Sequence, residues 1–447
     1  MILELLLLLT VLFLSIEIQK YTKIPSPVSL LILSYLSFYI FPDLRIFSEE
    51  NFAELVLFLI PILITSDALQ LSLEELKKNA LSLIFLAVIS VVLSLLFGYW
   101  TAETFFSEYG LSAGAIIALF AMVLATDPVS VVSVFSSFKV PHKLKILAEG
   151  ESLFNDATAL IVFSFIALPM IGGADIGIVD ITVVSLKVLI VSTLIGLAVG
   201  FLGIVLMRST DNGMSELMVI LLTAYTAFEI AEHFHVSGLL AVIVAVITLN
   251  TITQRSLKEI DRRVRKSKNI IDRTNKSKKI FSAQFMSGIT RKLSSDITEM
   301  EQHKLNMQYI SVLALLANAF LFMSMASIVH LDLLMKYGKE ILWMFLVTTL
   351  IRAFMMGVFA LFSNKSKKMT DVSFRWWSVL LFAGIKGGLS IVMLQMLPEN
   401  FAHKEMFEAI VVGVILLSTI LYALTLVVII SLNKRAFEKE YALERHH

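Results

Sequence analysis

The chain has 447 residues, of which 57% are hydrophobic and only 16% charged, with a formal net charge of +1 and no cysteine. That composition excludes an ordinary soluble protein, and the lack of cysteine excludes disulfides and thiolate metal sites. A charge so near zero names no partner, so the information lies in where the charged residues fall.

Apolar runs long enough to cross a bilayer as helices recur from end to end. The first, Met1 to Gln19, has no basic leading segment and no small-residue cleavage site, and reads as a span, not a signal peptide. About thirteen spans follow from the pattern, at 1–19, 27–41, 52–68, 79–100, 111–137, 147–169, 177–207, 215–231, 236–250, 307–329, 339–363, 376–397 and 405–432. The expected fold class is an all-α polytopic membrane protein. Spans one to nine fill residues 1–250, a basic connection occupies 251–308, spans ten to thirteen fill 309–432, and a short tail runs 433–447. The end of that tail, Ala442-Leu443-Glu444-Arg445-His446-His447, resembles a tag remnant, and its histidines are assigned no role.

Of the 37 lysines and arginines, 30 fall in the odd-numbered connections and the tail, and four in the even-numbered ones. The positive-inside bias therefore predicts the N-terminus outside and the C-terminus in the cytoplasm. The connection 251–308 is the most basic, with Arg262-Arg263-Val264-Arg265-Lys266 and Lys276-Ser277-Lys278-Lys279 at its centre. A cytoplasmic segment lying against anionic lipid accounts for that charge better than nucleic-acid binding does. In the seventh span Gly196, Gly200 and Gly203 form a small-residue stripe, suited to close helix packing inside the bundle or at a subunit contact.

Ionisable residues within spans are costly and mark function. At 1.5 Å per residue, Asp127, Asp156, Arg352 and Lys386 each lie about 14–16 Å from the cytoplasmic side, near the bilayer midplane, with Glu151 somewhat shallower. Two of these spans carry helix breakers: Thr126-Asp127-Pro128 in the fifth and Gly384-Ile385-Lys386-Gly387-Gly388 in the twelfth. Broken helices at membrane depth need a protein-lined or wet setting. Spans five and twelve are corresponding members if 1–169 and 215–432 are two inverted repeats with 177–207 as linker. The expectation is two discontinuous helices crossing at the midplane, as in a secondary transporter. Asp127 would then suit the half-helix N-termini, and Lys386 the C-termini. Ser152 and Asp156 share a face of the sixth span, and Glu151 and Asn155 the adjacent face. A buried Glu151 needs a cation, for which Arg352 is available.

These motifs resemble the monovalent cation/proton antiporters of the NhaP/NHE type. The resemblance rests on Thr126-Asp127-Pro128-Val129, Glu149-Gly150-Glu151-Ser152-Leu153-Phe154-Asn155-Asp156 and Ser237-Gly238-Leu239-Leu240-Ala241-Val242, with support from Asn318-Ala319-Phe320-Leu321-Phe322, Arg352 and Gly384-Ile385-Lys386-Gly387-Gly388-Leu389. It implies antiport of Na+ or Li+ against H+ in the plasma membrane, without a cofactor and not as an enzyme, by a homodimer joined through the first and seventh spans. It further implies that Asp156 binds cation or proton, that Asp127, Ser152 and a Thr126 carbonyl add oxygen ligands for Na+, and that Glu151 and Arg352 form a structural ion pair. Asn155 beside Asp156 implies electroneutral one-for-one exchange. Three departures stand out: Lys386 replaces the usual arginine, Asp67 stands one position from the usual third-span acid (at Ser66), and segment 251–308 has no assigned counterpart.

Other readings are a K+/H+ antiporter or another solute transporter on the same architecture, a cation channel, and an intramembrane hydrolase using His233, His235 and Ser237. The hydrolase lacks a zinc motif and leaves the midplane charges unexplained. Glu229, Glu232, His233 and His235 read as solvated residues, with pH sensing by the histidines as a second reading. Lys187 reads as a snorkelling or structural residue.

Overall fold

The computed structural model describes residues 2–22, 24–41, 49–210, 212–277, 283–328, 331–366 and 368–446. Met1, Lys278, Lys279 and His447 lie outside these residues. Every regular element among the described residues is helical. In order they are α1 (Ile2–Thr22), α2 (Ser26–Ile40), α3 (Glu49–Ala68), α4 (Leu73–Lys78), α5 (Ala80–Ile84), α6 (Ser90–Phe105), α7 (Ala113–Leu124), α8 (Pro128–Ser136), α9 (His142–Val162) and α10 (Leu168–Ile171). They continue with α11 (Ile178–Arg208), α12 (Gly213–His233), α13 (Gly238–Ser277), α14 (Ala283–Ile328), α15 (Leu331–Lys336), α16 (Gly338–Lys365), α17 (Phe374–Phe382), α18 (Gly388–Gln395), α19 (Lys404–Leu432) and α20 (Lys434–His446). Single π-helical turns, Phe85–Ile89 and Phe163–Ala167, join α5 to α6 and α9 to α10.

Nine helices among the described residues are long and apolar enough to cross a membrane, and the shorter apolar helices Ser26–Ile40, Leu57–Ala68 and Ala113–Leu124 accompany them. The fifth and twelfth spans are broken where the sequence places its breakers, into α7 and α8 and into α17 and α18. Pro128 takes the first helical position of α8, where its missing N–H costs nothing, and it holds Asp127 out of the helix.

Two compact units emerge. One gathers residues 1–60, 75–190 and 315–447, and the other 61–74 and 191–314. In the first, both broken helices pack with α9 and α19, and α17 packs with α16 as well. Its tail is a docked helix: Phe437 of α20 is buried, and Glu440 accepts from Arg375 at 2.7 Å and from the Trp376 indole at 2.9 Å.

In the second unit, the glycine stripe of α11 lies directly against α13. A Cβ at Gly200 would stand 2.9 Å from the Ala245 carbonyl, and one at Gly196 would stand 2.6 Å from that of Ala241. The stripe therefore serves packing within the bundle. Segment 251–308, expected as a connection, is largely helix: α13 runs on to Ser277 and α14 begins at Ala283. Ile260 and Val264, four apart, are buried on α13, and Arg263 reaches Asp296 of α14 at 3.3 Å. An apolar stripe at helical spacing survives there beneath the charge.

Candidate functional site: a charge cluster at the crossing of two broken helices

The site forms where the two breaks meet. The Asp127 N–H donates to the Ile385 carbonyl at 2.7 Å, tying one unwound segment to the other. A Cβ at Gly387 would collide with Asp127, so only glycine permits this approach. Asp127 acts as the N-cap of α8, its Oδ2 accepting from the Ser130 N–H at 3.2 Å and from the Ser130 hydroxyl. At the other helix end, the Leu124 carbonyl that closes α7 accepts from Lys386 Nζ at 3.2 Å and from Asn155 Nδ2 at 3.1 Å. A cation thus sits at a half-helix C-terminus and a carboxylate at a half-helix N-terminus, each in the sense the macrodipole favours.

Asp156 comes from α9. Its Oδ1 accepts from the Thr126 N–H, freed by the break, at 2.7 Å. The Thr126 and Ser152 hydroxyls share a hydrogen bond of 2.8 Å. Asn155 also approaches the Thr126 hydroxyl at 3.4 Å, while its own Oδ1 is buried and accepts no hydrogen bond among the described residues. Glu151 lies one turn away, with Arg352 bound in fork geometry: NH1 to Oε1 at 3.0 Å and NH2 to Oε2 at 2.8 Å. Asp127, Asp156, Glu151, Arg352 and Lys386 are each at most 8% exposed. Around this crossing three carboxylates face two cations, which leaves one buried negative charge over when all five are ionised.

The family whose description is sodium/hydrogen exchanger, transmembrane, matches residues 5–269, more than half of the chain. The chain belongs to the sodium/hydrogen exchanger family. Among its relatives, the Na(+)/H(+) antiporter NhaG of Bacillus atrophaeus is 27% identical over 421 residues, covering 92% of this chain and 70% of its own. The Na(+)/H(+) antiporter NhaH of Halobacillus dabanensis is 27% identical over 440 residues, 95% of each. The fold is that of the sodium proton antiporter MjNhaP1 from Methanocaldococcus jannaschii, with a TM-score of 0.67 at 16% identity over 96% of this chain and 97% of that one.

Within this exchanger the structure brings together Asp156, Asp127, Ser152, Thr126, Asn155, Glu151, Arg352 and Lys386, all in the first unit. At Thr126 the amide donates to Asp156 and the hydroxyl contacts that of Ser152. Asp67 is buried near the end of α3 and belongs to the second unit.

Several partners escaped the sequence. Ser418 accepts from the Lys386 N–H at 3.2 Å, and the Thr419 hydroxyl reaches the Lys386 carbonyl at 3.5 Å, so α19 steadies the second break. Nothing in an apolar span announces those two hydroxyls. Arg352 also donates to the Leu380 and Leu381 carbonyls, each at 3.0 Å, and so caps α17 as well as holding Glu151. Ser130 was legible in principle, since a polar residue three after an N-cap aspartate is a capping spacing. The hydrolase residues find other uses. Ser237 caps α13 by accepting from the Leu240 N–H at 3.2 Å, while His233 and His235 are exposed. Lys187 is exposed on α11, as a snorkelling residue would be.

Proposed function

We propose that this exchanger moves Na+ (or Li+) against H+ by letting both compete for the Asp156 carboxylate. The observation that carries this is the surplus of one carboxylate in a buried cluster of five ionisable groups. Glu151 is held by Arg352. Asp127 is spent on the N-terminus of α8, and Lys386 on the C-terminal carbonyl of α7. Asp156 is left with one backbone N–H and two hydroxyls nearby. An uncompensated charge at this depth is costly, and one monovalent cation or one proton removes it.

Oxygen atoms of Asp156, Asp127, Ser152 and Thr126, with the unpartnered Asn155 Oδ1, supply the hard ligands that Na+ prefers. Because either occupant neutralises the site and neither is needed with the other, the two access states of an alternating-access cycle interconvert only when loaded. One Na+ then moves for one H+, without net charge. Each pH unit of acidification raises the Na+ concentration for half-maximal exchange about tenfold once the proton holds the site. Li+ fits the same chemistry, and K+/H+ exchange is the reading to which a K+-driven signal would move the assignment.

The protein is further proposed to sit in the plasma membrane with its N-terminus outside, as the lysine and arginine distribution supports, and to work as a homodimer. The test uses the purified chain in liposomes holding a pH-sensitive dye. Outside Na+ or Li+ should move protons in wild type, with no dependence on an imposed membrane potential. Absence of proton movement with Na+, Li+ and K+ alike would overturn the proposal, and acceleration by an inside-negative potential would overturn its stoichiometry.

A further inference from the structure

A buried carboxylate of the first unit, Glu149, has no part in the exchange site. It lies on α9, about two turns before Asp156, and is 4% exposed. Residues 142, 145, 149, 152 and 156 follow one another at steps of three and four, so they form one stripe along the helix. They are His142, Lys145, Glu149, Ser152 and Asp156, each able to hold a proton. The stripe continues past Asp156 as Ala159 and Phe163. Its polar part therefore starts at the end of α9 predicted to be cytoplasmic and stops at the exchange site. Burial deepens along it. The side chains of His142, Lys145 and Glu149 are 61%, 38% and 5% exposed, and Ser152 and Asp156 are buried.

Contacts turn the stripe into a series of short steps. His142 Nε2 lies 2.7 Å from Glu75 of α4, and both residues line a cavity of about 680 Å³. Lys145 Nζ stands 3.4 Å from Glu149 Oε1, yet that oxygen is buried and accepts no hydrogen bond among the described residues. Glu149 and Ser152, three apart, have Cβ atoms about 5–6 Å from each other, a gap that a carboxylate or one water spans. The Ser152 hydroxyl bonds that of Thr126 at 2.8 Å, and the Thr126 N–H bonds Asp156. Glu151, one face around, makes the contrast. Both its oxygens accept from Arg352, and protonating it would leave a buried guanidinium unpaired. Glu149 has a partly exposed lysine beside it, whose long stem lets the ammonium turn to water when the carboxylate is neutral. The same ammonium repels a second cation, so this route suits protons and not Na+.

We propose that Glu149 is the proton relay between Asp156 and the side predicted to be cytoplasmic. This rests on Na+ and H+ competing for Asp156. The proton leaving the Asp156 carboxyl goes to the Ser152 hydroxyl, which gives up its own to the Glu149 carboxylate. Glu149 then releases a proton to water at the His142 and Glu75 end and returns to the anion beside Lys145. Proton uptake runs the same steps in reverse. Ionisable side chains at membrane depth serve proton relays in this way.

The experiment compares two modes of exchange in the same liposomes. Proton movement driven by Na+ needs both substrates, whereas uptake of radioactive Na+ against internal Na+ at equal pH needs only the cation. Glu149→Gln should slow the first mode about tenfold or more and leave the second within about twofold of wild type. Lys145→Gln breaks the ion pair and keeps the carboxylate, so both modes should stay near wild type. Glu149→Asp should recover most of the proton movement. Equal slowing of both modes by Glu149→Gln, or slowing of neither, would overturn the relay. A loss in Lys145→Gln as large as that in Glu149→Gln would overturn it too, because the ion pair would then be what matters. If Glu149→Gln does not fold, K145M/E149M replaces the pair with apolar side chains and must show the same split between modes. A wild type that moves no protons with Na+ would remove the antiport reading and the relay with it. A wild type that exchanges beside a Glu149→Gln that exchanges equally fast would remove the relay alone.

Discussion

At the residue scale the proposed exchange site is an arrangement of costs. Each buried charge but one is spent on a fixed partner, and the fixed pairs hold the remaining one in place. The Glu151–Arg352 fork is the clearest case, because removing either member leaves the other charge unpaired in the interior. Glu151→Gln or Arg352→Met should lower unfolding free energy by about 3–5 kcal/mol, read by thermal or denaturant unfolding in detergent. Exchanging the two by E151R/R352E should recover only a minor part. A glutamate at 352 cannot donate to the Leu380 and Leu381 carbonyls that arginine caps. Full recovery would mean that capping α17 contributes nothing. Lys386 uses a single donor toward the Leu124 carbonyl. Lys386→Arg should therefore retain exchange and Lys386→Met should lose stability, with a fall in Tm as the measurement.

Much of this was legible at the same scale. Proline after Asp127 and three glycines around Lys386 announced two breaks, and counting residues from the span ends brought four charges to one depth. The partners that complete the site were not legible. Ser418 and Thr419 act across a tertiary contact, and sequence spacing carries no information about which span packs against the second break. A broken helix frees N–H groups as well as carbonyls, and spacing does not say that Asp156 takes the Thr126 N–H.

At the element scale, close approach is the theme. Gly200 lets α11 meet the α13 backbone, so Gly200→Val should force the helices apart and reduce the folded fraction recovered in detergent size-exclusion chromatography. Unchanged yield and Tm would show that α13 yields without cost. Segment 251–308 was read as a connection because its charge hides an apolar stripe from a search for membrane spans. Ile260 and Val264 are that stripe, four residues apart and buried. Ile260→Asp should open the hairpin and raise hydrogen exchange along α13 beyond residue 253, with the exchange site unaffected. Helix type and order were recoverable from hydropathy. The continuation of α13 and α14 past the spans was not, since it depends on the arms packing on each other.

For the whole molecule, the chain spends its few charged residues in two ways. Most lie in connections on the side predicted to be cytoplasmic, and five meet in a buried cluster with a surplus of one negative charge. That surplus ties family, fold and the proposed one-for-one exchange into a single statement. On the proposed mechanism, Na+ binding expels a proton from Asp156. The direct measurement is proton release from the detergent-purified protein on adding Na+ at fixed pH in weak buffer. The account predicts release of up to one proton per chain in wild type at a pH where Asp156 is protonated, and none from Asp156→Asn. Undiminished release from Asp156→Asn, or saturable Na+ binding to wild type without release at any pH of the series, would contradict it.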